Sequence, residues 1–155
     1  MPEPTLRDRQ SFVVLGIHAR ISPATADWDD LWRKRFMPRV AEIRPFATDE
    51  CVYGVYLESD EEGLDDFWAG MAVQGVGTVP EGLSLCEAAA TLEAVFECTM
   101  ATIGSTWRLI HDQWLPSSPY RHHCEVAGYE QYPPGADRGD APITIHVPLL
   151  KRTGE

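Results

Sequence analysis

The sequence predicts an α+β fold: two strand–helix–strand–strand units joined in an antiparallel sheet, with a ligand cleft between the halves. Three observations predict it. Six segments are apolar, β-branched or alternating over strand lengths. Two others place their large apolar residues at steps of three and four, one face of a helix. The order of these elements then occurs twice along the chain.

The elements follow in order. Residues 1–10 are polar, carry Pro2 and Pro4, and are expected to be a flexible leader. They lack the apolar core of a signal peptide, and no run of about 18 apolar residues could cross a membrane, so a cytoplasmic protein is expected. Ser11 to Ile21 is β-branched and apolar and reads as a strand, broken by Ser22-Pro23. Trp28, Leu31, Trp32, Phe36 and Val40 then share one helical face, which Pro38 should kink or end. Cys51 to Leu57 and Phe67 to Val73 read as strands separated by an acidic turn. A loop follows from Gln74 to Leu83, and Leu85 to Ala90 is ambiguous between helix and loop.

The second half repeats this order. Thr91 to Met100 alternates as a strand, and Ile103, Trp107, Ile110 and Trp114 line one helical face until Leu115-Pro116. Val126 to Tyr132 and Ile143 to Val147 complete the set. We therefore expect one domain over residues 11–150, with repeats over about 11–74 and 91–148. The junction of the repeats is where a cleft should form.

Composition narrows the partners. The formal net charge of −11 repels phosphate backbones, so nucleic acid is not expected as a direct partner. The four cysteines, Cys51, Cys86, Cys98 and Cys124, show no CxxC spacing and read as free thiols. His122-His123-Cys124 reads as an exposed loop rather than a metal tract, because adjacent strand residues point opposite ways. No P-loop, nucleophile elbow or dinucleotide fingerprint is present, and no cofactor or metal is expected.

Glu130 is the residue that asks for an explanation. It lies within an aromatic strand between Tyr129 and Tyr132, and shares a face with Gly128 and Tyr132. A carboxylate held inward there must be paired, be raised in pKa, or await a cation. Trp68, Trp107, Phe96, Tyr56 and Tyr132 lie on core-side elements and could wall such a site. A cation over such rings gains about 0.5–2 kcal/mol per good contact. Glu97 is a second strand acid; if it shared the cavity with Glu130, one of the two would be held protonated. Trp28, Trp32 and Trp114 read as core.

The landmarks also resemble a known family. Val14-Leu-Gly-Ile17, Leu31-Trp32 with Arg35-Phe-Met-Pro-Arg39, Tyr53-Gly-Val-Tyr56 and Ala69-Gly70 come first. Pro80-Glu-Gly82, Ala94-Val-Phe96, Trp114-Leu-Pro116, Tyr129-Glu-Gln-Tyr132 and Ile143-Thr-Ile-His-Val-Pro148 follow in order. Over residues 11–150 this resembles the GyrI-like superfamily, the effector-binding domain of AraC- and MerR-type regulators. The resemblance implies a cavity between two repeats in which a glutamate, here Glu130, and aromatic walls bind hydrophobic cations. Where many relatives carry a second glutamate after the Ala-Gly pair, this chain has Ala72; where they often carry histidine, it has Glu97. No helix-turn-helix fits in the ten leading residues, so a stand-alone effector module is expected. The expected activity is binding of an amphipathic, cationic small molecule. Two alternatives come with the resemblance: hydrolysis of cyclopropane-bearing or similar strained electrophiles with Glu130 as the catalytic carboxylate, and inhibition of a protein partner in the manner of a gyrase inhibitor.

Overall fold

A computed structural model describes residues 3–153. Its framework is a nine-stranded sheet: β1 (Thr5–Arg9), β2 (Phe12–Ile21), β3 (Val52–Glu58), β4 (Asp65–Val73), β5 (Ser84–Ala88), β6 (Thr91–Cys98), β7 (Tyr120–His122), β8 (Gly128–Tyr132) and β9 (Ile143–Lys151). The spatial order is β1-β6-β9-β8-β3-β4-β2-β5, with β7 added beside β9. Every pairing among these strands is antiparallel.

That order reads the same from either end. β6-β9-β8 mirrors β2-β4-β3 about the β8–β3 seam, and β1 and β5 flank the two halves in the same way. The duplicated strand–helix–strand–strand pattern is therefore present, and the seam between the copies pairs Glu130 with Gly54. β5 and β6 lie near opposite ends of the sheet, yet only two residues, 89 and 90, connect them. The sheet must curl to allow this. The curl buries Val14, Tyr53, Val55 and Tyr129 on the face that carries no helix.

Both helical stretches lie on the other face. The first, residues 28–46, is π-helical over Asp30–Phe36, tightens to 3-10 over Met37–Arg39 at Pro38, and resumes as α-helix over Val40–Ile43. Pro38 changes the winding without ending the segment, because a proline in the first turn of a new helical stretch gives up an N–H that has no intrahelical partner there. The second runs through Ile103–Leu109, a π turn at Ile110–Trp114, and Leu115–Ser117. Each presses a core onto its own half. Leu31, Phe36 and Ile43 pack with Leu15, Ile17 and Phe67; Ile110 and Leu115 pack with Phe96, Ile143 and Ile145.

Two expectations are corrected. The leader is not free of structure: residues 5–9 form β1 and pair with β6. Its anchor is Arg9, almost fully buried, which donates to the carbonyl oxygens of Ala89 (2.6 Å) and Ala127 (2.9 Å) and to Glu93 (3.3 Å). Residues 84–88 are neither helix nor loop but the strand β5, paired with β2. The centre of the sheet also has a packing constraint. Gly16 faces Gly70 across β2 and β4, and a Cβ on either would lie 2.2–2.3 Å from a carbonyl oxygen of the other strand. Only glycine lets the strands approach this closely.

Candidate functional site

The seam places a carboxylate at the base of a cleft. Strand alternation turns Glu130 of β8 toward the helix side, and its residue is only 4% exposed. Opposite it, Gly54 leaves room: a Cβ there would sit 3.2 Å from Glu130 Oε1 and 3.1 Å from the Phe67 ring. Three neutral donors converge on the carboxylate. Tyr132 donates its hydroxyl to Oε1 at 2.6 Å, and the Trp107 indole N–H donates to Oε2 at 2.6 Å. The Tyr56 hydroxyl also reaches Oε2, at 3.2 Å. Among the described residues no Lys, Arg or His forms an ion pair with Glu130. Burial therefore raises its pKa above the ordinary glutamate value, although the hydrogen bonds from Tyr132, Trp107 and Tyr56 each pull it back.

Rings wall the space above this group. The cleft encloses about 970 Å³ and is lined by Trp28, Trp32, Tyr56, Trp107 and Tyr132 around Glu130. These rings brace one another edge-on: Trp32 against Tyr132 at 5.6 Å, Tyr56 against Trp107 at 5.9 Å, and Trp28 against Tyr56 at 6.4 Å. His111 stacks on Trp107 at 5.7 Å. The first repeat supplies Trp28, Trp32 and Tyr56; the second supplies Trp107, Glu130 and Tyr132. Further acids, Asp29, Glu50, Glu58, Asp65 and Asp137, line the same space, together with Arg108.

The residues expected from sequence divide sharply. Glu130, Tyr132, Trp107 and Tyr56 meet in the cleft. Trp68 does not: it lies on the opposite face of β4, packs on His18 at 4.7 Å, and donates its indole N–H to Ser84 at 2.9 Å. Phe96 faces the helix side but is fully covered by Trp114, 5.2 Å away, within the second core. Glu97 alternates away from Phe96, is exposed, and cannot share a cavity with Glu130.

Trp28 and Trp32 were read as core: both do pack against the first core, on Phe67 at 5.1 and 6.0 Å, and both also line the cleft. His122 is also not in an exposed loop. It belongs to β7, is half-buried and lines the cleft. Among the described residues no His, Cys, Asp or Glu group is arranged to hold a metal ion.

Comparison with known proteins follows from this geometry. The family model described as Cass2, integron-associated effector binding protein, matches residues 5–149. The chain belongs to the Cass2 family. Its fold is GyrI-like, and solved structures agree. SAV2435 bound to tetraphenylphosphonium superposes with a TM-score of 0.79 at 13% identity, covering 96% of this chain and 94% of that one. The C-terminal domain of EcmrR gives 0.69 at 14% identity, covering 98% and 99%. The Vibrio cholerae integron cassette protein Cass2 gives 0.53 at 14% identity, covering 96% of each. At these identities the superpositions establish the fold, and the effector-binding family assignment rests on the sequence model. No curated protein matches the chain in sequence. The three donors should tune the acid. Trp107→Phe removes one N–H from a buried carboxylate and is expected to raise the Glu130 pKa further and cost about 1–2 kcal/mol of stability; carboxyl-detected NMR titration and thermal melts measure both.

Proposed function

We propose that this protein binds a hydrophobic organic cation in the seam cleft, as a receptor or sequestering protein. One observation carries the reading: a buried carboxylate, hydrogen-bonded only by neutral groups, sits at the base of an aromatic-walled space. Ionising such a group without a counter-charge is costly, and a cation arriving over the rings offsets that cost. The size suits an amphipathic, drug-sized molecule. The acidic lining and the net charge of −11 favour cation approach. A fold neighbour is itself bound to tetraphenylphosphonium.

The test is charge reversal at constant shape. Tetraphenylphosphonium is expected to quench tryptophan fluorescence saturably, and tetraphenylborate is not. Equal binding of both ions would defeat the reading. Acidification adds a second check. The cation needs ionised Glu130, whose pKa is raised by burial. Affinity should therefore be flat at high pH and fall as pH drops through that raised pKa, above the usual glutamate range of about 4.3. Protonation of His111 and His122 in the cleft acts in the same direction, but burial lowers both of their pKa values. The part of the pH dependence due to Glu130 is the part that Glu130→Gln abolishes.

A second reading, hydrolysis of a strained electrophile, is favoured by the two tyrosine hydroxyls held on the same carboxylate. In it, Glu130 would orient water and a tyrosine would polarise the leaving group. Mass spectrometry of a cyclopropane-bearing electrophile incubated with the protein decides it: a hydrolysed product that vanishes with Glu130→Gln supports catalysis, and an unchanged substrate rejects it.

A further inference from the structure

The cleft has a second acidic end. Glu58 and Asp65 close the β3–β4 hairpin as directly opposed residues, and both line the same space as Glu130. Like charges directly opposed across two strands repel, so an unneutralised pair of this kind is unfavourable. Arg108 lines the same space but forms no ion pair with either acid. Arg20, the basic residue closest in the sheet, is engaged by Asp60, Glu61 and Asp66, and no ion pair reaches Glu58 or Asp65 among the described residues. Arg121 is exposed on β7 and forms no ion pair with either. His122 and Cys124 complete this end of the wall, 3.6 Å apart from Nδ1 to Sγ. Neither brings positive charge. Burial, then His111, lowers the His122 pKa; burial, then the hydrogen bond to Glu58, pushes the Cys124 thiol up to about 11. Asp65 is itself held above the ordinary aspartate value by burial, then by Glu58 and Asp66.

The spacing of the two ends follows from the strand. Glu130 faces Gly54, and Glu58 lies four residues further along β3, which is about 13 Å at the usual rise per residue. Tyr56 lies between them on the same face of β3, with the Trp28 ring against it at 6.4 Å. We propose that the preferred ligands are elongated dications, with one cationic head over Glu130, a hydrophobic spacer along Tyr56 and Trp28, and a second cationic head about 13 Å away between Glu58 and Asp65. This inference rests on the cation-binding reading of the cleft and names the ligand class for it. What separates these acids from an ordinary acidic surface is their place in one continuous cavity with a buried, cation-free carboxylate at its far end.

The test compares two ligands that differ by one charge. Decamethonium carries two trimethylammonium groups on a ten-carbon chain; decyltrimethylammonium carries one on the same chain. By calorimetry, decamethonium is expected to bind about five- to tenfold more tightly, the gain of one partly exposed ionic contact. The double variant Glu58→Gln/Asp65→Asn should lose that gain, so that the ratio of the two affinities falls to about one whatever it does to decyltrimethylammonium alone. Thermal melts confirm that this surface variant stays folded. Glu130→Gln should weaken both ligands. If decyltrimethylammonium binds and decamethonium binds no better, or if the gain survives the double variant, the dication inference is overturned while cation binding stands. If neither ligand binds and Glu130→Gln changes nothing, both are overturned.

Discussion

Replacing Glu130 with glutamine is expected to weaken tetraphenylphosphonium binding at least about 30-fold, roughly 2 kcal/mol or more, since a buried charge partner is removed. The same substitution should leave the protein as stable as before, or more so. The two effects have one cause. In the empty protein the carboxylate has three neutral donors and no cation, and burial holds its pKa above the ordinary value. The folded state therefore binds a proton more readily than the unfolded chain. Stability is fully favoured below the ordinary glutamate pKa and declines as pH rises through the raised one. Glutamine has the same shape and never ionises: its carbonyl oxygen can accept from Trp107 and Tyr56 while its amide N–H donates to the Tyr132 oxygen, so that decline disappears. Melting temperatures across pH, set beside affinities, check it. A variant that loses binding together with several degrees of melting temperature would show that Glu130 is a structural residue.

Glu93→Gln is expected to do the opposite: cost about 3–5 kcal/mol of stability, because it leaves a buried arginine without its counter-charge. Glu93 is fully buried. It accepts from Arg7 at 2.7 Å, Arg9 at 3.3 Å and the Nδ1–H of His146 at 2.8 Å. The Nε2 of His146 is 2.8 Å from the Thr144 hydroxyl and accepts its proton when Nδ1 carries the other. Burial alone would raise the Glu93 pKa, but His146 and then Arg7 outweigh it and hold the carboxyl below the ordinary value. Its contribution is present at neutral pH and is lost as pH falls through that lowered pKa. Denaturant unfolding at pH 7 measures the loss. A change under about 1 kcal/mol would mean that the carbonyls of Ala89 and Ala127 satisfy Arg9 without Glu93. The contrast separates two buried glutamates: one is neutralised from within the fold, the other is met only by neutral donors.

Six of the nine strands, β2, β3, β4, β6, β8 and β9, and both helical faces were legible because periodicity reports burial directly. Leu31, Phe36 and Ile110 fall on the apolar faces that the spacing marks, and all three are buried. β1 was not legible, because Thr5 to Arg9 alternates charges and its pairing depends on Arg9 finding carbonyls some 80 and 118 residues away. Within the site, Glu130 and Tyr132 could be found because a strand period of two puts them on one side. Trp68, Phe96 and Glu97 show where that argument stops. Alternation says which residues share a face, but not which face carries the helices, nor whether a neighbour such as Trp114 already covers the position. Trp28 and Trp32 show the converse: helical spacing finds the face that meets core but cannot tell that the same rings also line a cleft.

The mirror order of the strands has a consequence for what the smallest functional piece can be. Tyr56, Trp28 and Trp32 hang on one copy of the repeat; Glu130, Trp107 and Tyr132 hang on the other. Cut at the seam, the first fragment keeps a wall with no acid and the second keeps an acid open to solvent on one side. On the cation-binding reading proposed above, recognition is a property of the join, and a guest held there touches both copies at once.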